Sequence, residues 1–415
     1  MKEHSFQSRM RLHAHQFASG VALAAALHLS TAVAATETVL FSFPANGRPA
    51  SDTQLLLDPA GNLYGAGSLG SPDDVVFELI PNSEHTEWTF KTLHTFCRIK
   101  CSVAETPDSS PIMDTSGNLY GTTYFGGSAD EGTVYKLTPN GDTWSINALH
   151  SFSGNDGAYP QFLYYFGQET GALYDGVSPL YGVTNSYGGG NYGAVFKLTP
   201  PSSGHTKWSL RTIYSFCYQN CRHPDGQSPT GLVGDTVGDL FGTTVGGGKP
   251  RGGIIYELRP SGKKWKETIL CSFSRRACKG AATPFGAPAI DPQGNIFGTT
   301  VNGKRGGGTL YEQSGSTHTV LYQFCSKVNC KDGSSPYDQL LLDSSGNLFG
   351  STYSGGSNNG GILFEFSNSA ESVLFDFGAN ANPTGGVIRD STGNLYGMTT
   401  HDGANGAGTV YEITP

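Results

Sequence analysis

A repeat that occurs seven times dominates this chain of 415 residues. In the second copy, an Asp-x-x-Gly-Asn turn (114–118) leads into Leu119–Thr123, and a glycine-rich loop precedes a run from Gly132 to Pro139. A third run, Trp144–Phe152, ends the unit. One aromatic residue marks each copy: Tyr64, Tyr120, Tyr181, Phe241, Phe297, Phe349 and Tyr396. Repeats of about 50 to 60 residues that are rich in Gly, aromatic and β-branched residues indicate a β-propeller or a β-solenoid.

The two ends of the chain favour a closed ring. Each full copy has four strand-like runs, and no window shows helical periodicity. The last copy ends at Thr414 without a final Ser-Phe strand, whereas the chain after residue 35 begins with such a strand, Val39–Phe43. If the first strand completes the last blade, no sheet edge is left open. We therefore predict an all-β fold, a single seven-bladed β-propeller domain over residues 36–415.

Residues 1–35 have the pattern of a signal peptide that is removed after export. Lys2, Arg9 and Arg11 are basic, residues 21–29 are apolar, and the small residues 32–34 suit a cleavage site. No later segment approaches the length of a membrane-spanning helix. We therefore expect a secreted or periplasmic protein that is not inserted into or anchored in a membrane.

The charge of the exported part restricts its partners. Without the first 35 residues, 23 basic and 33 acidic residues remain, a net charge of about −10. An acidic domain without basic runs argues against nucleic acid as a ligand. We expect a monomer without a cofactor or metal that recognises a carbohydrate or a protein outside the cytoplasm.

Eight cysteines form four close pairs, each at the same place in its repeat. An even number of cysteines in an exported chain predicts disulfides. Local bridges within the pairs are the simplest arrangement, and zinc shared between two pairs is the alternative. The pairs are Cys97 with Cys101, Cys217 with Cys221, Cys271 with Cys278, and Cys325 with Cys330.

The repeated Gly-Asn-Leu-Tyr-Gly-Thr-Thr, Gly-Gly and Gly-Thr-Val-Tyr-Lys-Leu-Thr-Pro elements, with the spaced Leu-His-Ser-Phe, resemble the GloVer (Gloeo-Verruco) tandem-repeat family of exported bacterial proteins. The resemblance covers the whole chain after the leader and implies a propeller-like fold and export. It implies no activity. Members often carry a C-terminal sorting signal, and we see none before Pro415. The Asp-x-x-Gly-Asn-Leu-Tyr element is also similar to repeats of other propellers, including lactonase-like ones.

The variable residues of the glycine-rich loops are the candidates for ligand binding, because loops on a rigid scaffold carry most recognition. These loops share a face with the disulfide-bearing connections between blades, which contain Asp-Gly-x-x-Pro segments. Aromatic and charged groups around one rim suit a sugar, and the basic residues suit an acidic one. The predicted ligand-binding residues are Tyr124, Tyr187, Tyr192, Lys249, Arg251, Lys304, Arg305, Tyr353, His401 and Asp402. Phe125, Asp73, Asp74, Asp130 and Glu131 lie in the same loops.

Catalysis has weaker support in the sequence. His401, Tyr353 and Arg305 are the candidates for a polysaccharide lyase, in which a base with a neutralising cation removes a proton. A hydrolase using Asp73, Asp74, Asp130 or Glu131 is a further alternative. No nucleophile elbow, phosphate loop, zinc motif or EF-hand loop is found. The enlarged aromatic turn of the third copy, Tyr164–Gly176, is either a contact surface or a decoration of the scaffold.

Overall fold

The strands form seven antiparallel sheets in the computed structural model, which describes residues 35–50, 53–70, 73–96, 104–189, 192–217, 225–249, 251–273, 278 and 280–415. Each sheet is one blade of a seven-bladed β-propeller, so the predicted fold is confirmed. Of the predicted signal peptide, residues 1–35, only Ala35 is among the described residues. In the part of the chain that the structure describes, no helix has the length and apolar character needed to cross a membrane.

The strands of each blade follow one another in sequence, joined by hairpins. The first strand is β1 (Thr36–Ser42). Blade 1 contains β2 (Arg48–Pro49), β3 (Leu56–Leu57), β4 (Leu63–Ser68), β5 (Asp74–Pro81) and β6 (Trp88–Phe96). Blade 2 contains β7 (Glu105–Pro107), β8 (Ile112–Met113), β9 (Leu119–Phe125), β10 (Thr133–Asn140) and β11 (Thr143–Ser151). Blade 3 contains β12 (Ala158–Tyr164), β13 (Leu180–Ser186), β14 (Ala194–Thr199) and β15 (Ser209–Ser215).

The remaining four blades repeat this order. Blade 4 contains β16 (Gly226–Gly234), β17 (Leu240–Gly247), β18 (Ile254–Ser261) and β19 (Lys264–Ser272). Blade 5 contains β20 (Ala281–Ile290), β21 (Ile296–Gly303), β22 (Thr309–Ser314) and β23 (Thr317–Gln323). Blade 6 contains β24 (Leu341–Leu342), β25 (Leu348–Thr352), β26 (Ile362–Ser367) and β27 (Ala370–Asp376). Blade 7 contains β28 (Pro383–Arg389), β29 (Leu395–Thr399) and β30 (Thr409–Thr414), and β1 is its outermost strand.

The first strand of the chain pairs with the last. The antiparallel ladder between β1 and β30 runs from Thr36 opposite Thr414 to Ser42 opposite Thr409. The blade so completed packs on blade 1, where the Phe41 and Phe90 rings stack with centroids 4.1 Å apart. The first and the last strand are thereby held in one blade.

Prolines interrupt the innermost strand of each blade. In blade 2 this strand is split into β7 and β8, whereas the sequence predicts one run over 110–113. In blades 3 and 4 the register shifts just after Pro160 and Pro229. Proline has no N–H to donate, so a bulge follows it in the ladder. Around the propeller axis these inner strands contact one another, as where the Gln54 N–H donates to the Ser110 hydroxyl at 2.7 Å.

Two of the four predicted disulfides are confirmed, Cys271–Cys278 and Cys325–Cys330. Cys217 is also disulfide-bonded, and its predicted partner Cys221 lies outside the described residues. Cys97 and Cys101 both lie outside the described residues as well. The bridge between Cys97 and Cys101 therefore stays a prediction, as does the pairing of Cys217 with Cys221.

The enlarged turn of blade 3 is packed into the scaffold. Tyr174 is fully buried, and its backbone forms hydrogen bonds with Met113 and Thr115 of blade 2. On the other side, the Phe166 ring contacts Tyr181 with centroids 5.3 Å apart. The aromatic residues of this turn therefore brace neighbouring strands.

Candidate functional site

We define the glycine-loop face as the face formed by the loops between second and third strands and by the connections between blades. The innermost strand of each blade begins at the rim of this face. In six blades, the residue before the first proline of this strand has a φ between 52° and 61°: Thr106, Tyr159, Ser228, Thr283, Ser335 and Asn382. Such values are uncommon for residues other than glycine. A backbone hydrogen bond to the preceding blade stabilises this conformation. In blade 3, for example, the Tyr159 N–H donates to the Glu131 carbonyl at 2.9 Å.

At the rim of blades 2 and 3 this geometry assembles an aromatic group, which we call the aromatic rim: Tyr124, Phe125, Tyr159 and Tyr187. The rings of Tyr124 and Tyr159 stack at 4.6 Å with an interplanar angle of 8°. Phe125 contacts both rings edge-on, and Tyr187 lies 6.3 Å from Tyr159. Phe125 and Tyr187 remain 40% and 43% exposed. Exposed aromatic groups of this kind mark binding surfaces.

Polar side chains surround the aromatic rim. The Tyr159 hydroxyl forms a hydrogen bond with Glu131, and the pKa of Tyr159 is raised by partial burial and by this carboxylate. The Asn185 amide donates to the Gln161 side chain at 3.1 Å. Asp130 accepts a hydrogen bond from the Gly126 N–H at 2.9 Å, which ties down the glycine loop of blade 2. Amide and carboxylate groups beside aromatic rings can form hydrogen bonds with the hydroxyl groups of a ligand.

A second aromatic group lies at the rim of blades 5 and 6. The Tyr337 ring lies 5.8 Å from Phe285 and 5.6 Å from Tyr353. Tyr353 is a predicted ligand-binding residue, whereas Phe285 and Tyr337 directly follow the first proline of their strands and were not predicted. Tyr159, which directly precedes Pro160, was not predicted either. An alignment of the repeats on these prolines would have found all three.

The predicted basic residues lie in exposed loops of blades 4 and 5. Lys249, Arg251 and Lys304 are exposed. The Arg305 guanidinium donates to the Ser326 carbonyl at 3.1 Å, in the connection that follows blade 5.

Tyr353 and His401 lie on either side of Asn382, at the start of blade 7. The Asn382 amide donates to the Tyr353 carbonyl at 2.8 Å. The Asn382 carbonyl accepts from Thr400, whose hydroxyl is 3.0 Å from His401 Nδ1. Among the described residues, no hydrogen bond or ring contact joins Tyr353, His401 and Arg305 directly.

Three further predicted residues have contacts within the scaffold. The Tyr192 carbonyl accepts the Ser228 N–H at 2.9 Å, so its backbone links blades 3 and 4. Asp74 is only 4% exposed and accepts a hydrogen bond from the Thr106 hydroxyl of blade 2 at 3.4 Å. Asp402 accepts the Gly403 N–H at 2.8 Å within its own loop.

Two cavities in the propeller are lined by residues of neighbouring blades. A cavity of about 80 Å³ between blades 1 and 2 is lined by Arg48, Asp74 and Asp108, among others. A larger one of about 290 Å³ lies between blades 6 and 7 and is lined by the turn residues Asp343 and Gly393. Typical pockets for small molecules are of the order of 300 to 1,000 Å³. Neither cavity is lined by the aromatic rim, whose Phe125 and Tyr187 rings are exposed to solvent.

The protein is a seven-bladed β-propeller built from tandem repeats. Its inner strands place aromatic residues on one face. The chain belongs to the Gloeobacter/Verrucomicrobia repeat family, whose model matches residues 51–283 and 267–415. This confirms the resemblance seen in the sequence. No curated protein matches the chain.

Three solved structures with similar folds are distant in sequence. A protein assigned as a 6-phosphogluconolactonase from Bacteroides uniformis is 12% identical with a TM-score of 0.48, over 85% of this chain and 98% of its own. The PQQ-bound aldose sugar dehydrogenase of Streptomyces coelicolor is 13% identical with a TM-score of 0.45, over 76% and 96%. An arginine-to-alanine mutant of AofleA from Arthrobotrys oligospora is 10% identical with a TM-score of 0.44, over 83% and 91%.

Proposed function

We propose that this protein is an exported carbohydrate-binding propeller and that the aromatic rim is its binding surface. The observation that carries the proposal is the stacked pair Tyr124–Tyr159 with the exposed rings of Phe125 and Tyr187 beside it. Aromatic rings can lie against the apolar face of a sugar while neighbouring polar groups bind its hydroxyls. The Glu131 carboxylate beside Tyr159 disfavours an anionic sugar at this position, so neutral polysaccharides are the expected ligands.

Export is the second part of this proposal. The disulfides Cys271–Cys278 and Cys325–Cys330 support it, because such bonds persist in oxidising compartments. Sequencing the N-terminus of the protein from the producing cells is the test. A mature chain beginning near Ala35 is expected, and a chain that retains residues 1–34 would contradict the proposed signal peptide.

Binding is best tested by titration calorimetry against neutral and acidic polysaccharides. Tyr159→Ala is expected to weaken binding about tenfold, which corresponds to about 1.4 kcal/mol for the loss of a stacked ring. Tyr159→Phe, which keeps the ring, is expected to bind nearly as the parent does. Val177→Ala is the matched control, since Val177 is 75% exposed and lies directly after the enlarged turn of blade 3, before β13. Unchanged binding in folded Tyr159→Ala would overturn the proposal.

A polysaccharide lyase is the second candidate, supported by the placement of Tyr353 and His401 on either side of Asn382. Incubation with uronic-acid polysaccharides, followed through the absorbance of unsaturated products, tests this activity. His401→Ala is expected to abolish it, because His401 would act as the base. Product formation that survives this substitution excludes His401 from that role.

A further inference from the structure

We call the boundary between two neighbouring blades a seam. At each seam, one residue of an outermost strand faces a residue on the outermost strand of the preceding blade, and we call these two residues a seam pair. In blades 1 to 3 this position is apolar: Phe90, Ile146 and Leu210. In blades 4 and 6 it is a glutamate that faces a tyrosine of the preceding blade. Glu267 forms a hydrogen bond with Tyr214, and Glu371 lies near Tyr322 and pairs with Lys327 at 2.9 Å.

The seam pair between blades 4 and 5 differs chemically from these two. Here Cys271 occupies the position of Tyr214 and Tyr322, and His318 occupies the position of Glu267 and Glu371. At this seam, cysteine and histidine thus stand in place of tyrosine and glutamate. Cysteine and histidine commonly bind metals.

The imidazole of His318 has no polar partner at this seam. Among the described residues, neither ring nitrogen has a hydrogen-bond partner, and both are buried. The ring packs against Tyr311 and Phe273, with centroids 5.4 Å and 5.5 Å away. An imidazole whose ring nitrogens have no hydrogen-bond partner among the described residues can offer a lone pair to a metal ion. Buried polar groups without partners are rare and often mark an ion or a functional role.

Two sulfur atoms lie beside this imidazole. The Sγ atoms of Cys271 and Cys278 and a ring nitrogen of His318 are all within 4.8 Å of one another. In the oxidised protein the sulfurs are joined as a disulfide, which leaves no thiolate to bind a metal. Among the described residues, no comparable group of cysteine and histidine ligand atoms includes the other disulfide, Cys325–Cys330.

We propose that reduction of Cys271–Cys278 converts this seam into a Zn²⁺ site formed by both thiolates and the His318 imidazole. A dithiol reductant supplies two electrons and two protons, which break the disulfide and leave two thiols, and the reductant itself becomes a disulfide. Zn²⁺ then displaces both thiol protons to solvent. Two sulfur ligands and one nitrogen ligand leave the fourth tetrahedral position of the metal for water. The connection between β19 and β20 is thereby held by a covalent bond in one redox state and by a metal in the other.

The test uses the full chain, reduced with dithiothreitol under anaerobic conditions and freed of reductant. Co²⁺ is titrated first, because its thiolate charge-transfer and d–d absorption report a tetrahedral sulfur site, and Zn²⁺ is then used to displace it. The His318→Phe variant keeps an aromatic ring against Tyr311 and Phe273 but removes the ligand. We expect it to bind Co²⁺ at this site at least roughly tenfold more weakly than the parent does, and Cys271→Ser to do the same.

A matched control separates this site from the other cysteine pairs. The double variant Cys325→Ser with Cys330→Ser is expected to retain the His318-dependent Co²⁺ spectrum. If the reduced parent unfolds, refolding upon addition of Zn²⁺, seen in near-ultraviolet circular dichroism and dependent on His318, supports the proposal. Equal metal binding by the parent and by His318→Phe, or no metal binding and no refolding, overturns it.

Discussion

At the scale of single residues, the repeated segment proves to be scaffold. In blade 2, Asp114 accepts hydrogen bonds from the N–H groups of Ser116 and Asn118, and its other oxygen accepts from the Tyr120 hydroxyl at 2.9 Å. The last threonine of the segment, Thr123, is 2.9 Å from Thr133 on the next strand. The Asp114, Tyr120 and Thr123 side chains therefore stabilise their own turn and ladder.

The glycine of this segment is required by packing. A Cβ at this position would lie within 3.0 Å of the aromatic ring on the next strand in every blade. The seven glycine–aromatic pairs are Gly65 with Phe77, Gly121 with Tyr135, Gly182 with Phe196, Gly242 with Tyr256, Gly298 with Tyr311, Gly350 with Phe364 and Gly397 with Tyr411. Because the ring lies across the strand backbone, no larger residue fits without displacing it.

The substitution Gly121→Ala should therefore destabilise the propeller. We expect a loss of about 1 to 3 kcal/mol in the free energy of unfolding, since the added methyl group displaces the fully buried Tyr135 side chain. Urea denaturation followed by tryptophan fluorescence measures the change. Gly246→Ala is the matched control, because its nearest neighbour would be Gln227 at 3.5 Å. A similar loss in both variants would contradict the packing explanation.

At the scale of strands and blades, a glycine–proline contact recurs at the seams. The glycine before the third strand of one blade packs against the first proline of the next blade, as Gly193 does against Pro229. A positive φ of 96° and the proximity of the proline ring both require glycine at residue 193. The sequence shows both residues in every repeat except the first, where Asp74 stands in place of the glycine. Their contact between blades could not be predicted, because the spacing of a motif does not reveal its neighbour in the next repeat.

The seam between blades 3 and 4 contains two carboxyl groups beside one tyrosine. The Tyr214 hydroxyl donates to Asp225, and Glu267 of blade 4 approaches the same hydroxyl. Burial, with the nearby Asp225 charge, raises the pKa of Glu267 to about 7 from its ordinary 4.5. In the unfolded chain Glu267 releases its proton at lower pH than in the folded one. Its contribution to stability is therefore largest below about pH 4.5 and is lost as pH rises to about 7.

The substitution Glu267→Gln should remove this dependence on pH. Near pH 4 the variant and the parent should be about equally stable, because the parent carboxyl is protonated there. At pH 8 the variant should be more stable by about 1 to 3 kcal/mol, since it lacks the buried charge of Glu267. Urea denaturation at several pH values gives the comparison. Glu84→Gln, which alters an exposed carboxyl, should show no such trend, and a difference between Glu267→Gln and parent that stays constant with pH would contradict the assignment.

At the scale of the whole molecule, the repeat was sufficient to predict the number of blades and the all-β class. Seven copies of an aromatic marker gave seven sheets, because each copy contains enough strands for one blade. The proposed binding surface was less predictable. Tyr124, Phe125 and Tyr187 were identified in the glycine loops, whereas Tyr159 was missed because its position depends on the φ of 57° before Pro160. The proline marks this position in the repeats, but the positive φ beside it and the resulting ring contacts are not visible in a single sequence. The roles of the predicted rim residues stay predictions.

The ladder between β1 and β30 brings the two ends of the chain into one blade, and this contact is the one most open to direct test. A variant that lacks residues 36–43 loses the antiparallel partner of Thr409–Thr414 and the buried Phe43 side chain. Loss of one buried phenylalanine alone costs about 3 to 5 kcal/mol, and the uncovered β30 edge can pair with other chains. We expect a lower thermal midpoint and association between molecules, measured by calorimetry and light scattering. A synthetic peptide of residues 35–43 should restore the midpoint by adding back the strand, whereas a peptide carrying Leu40→Asp and Phe43→Asp should not. Equal stability of the shortened chain and the parent would show that this strand does not hold the blade together.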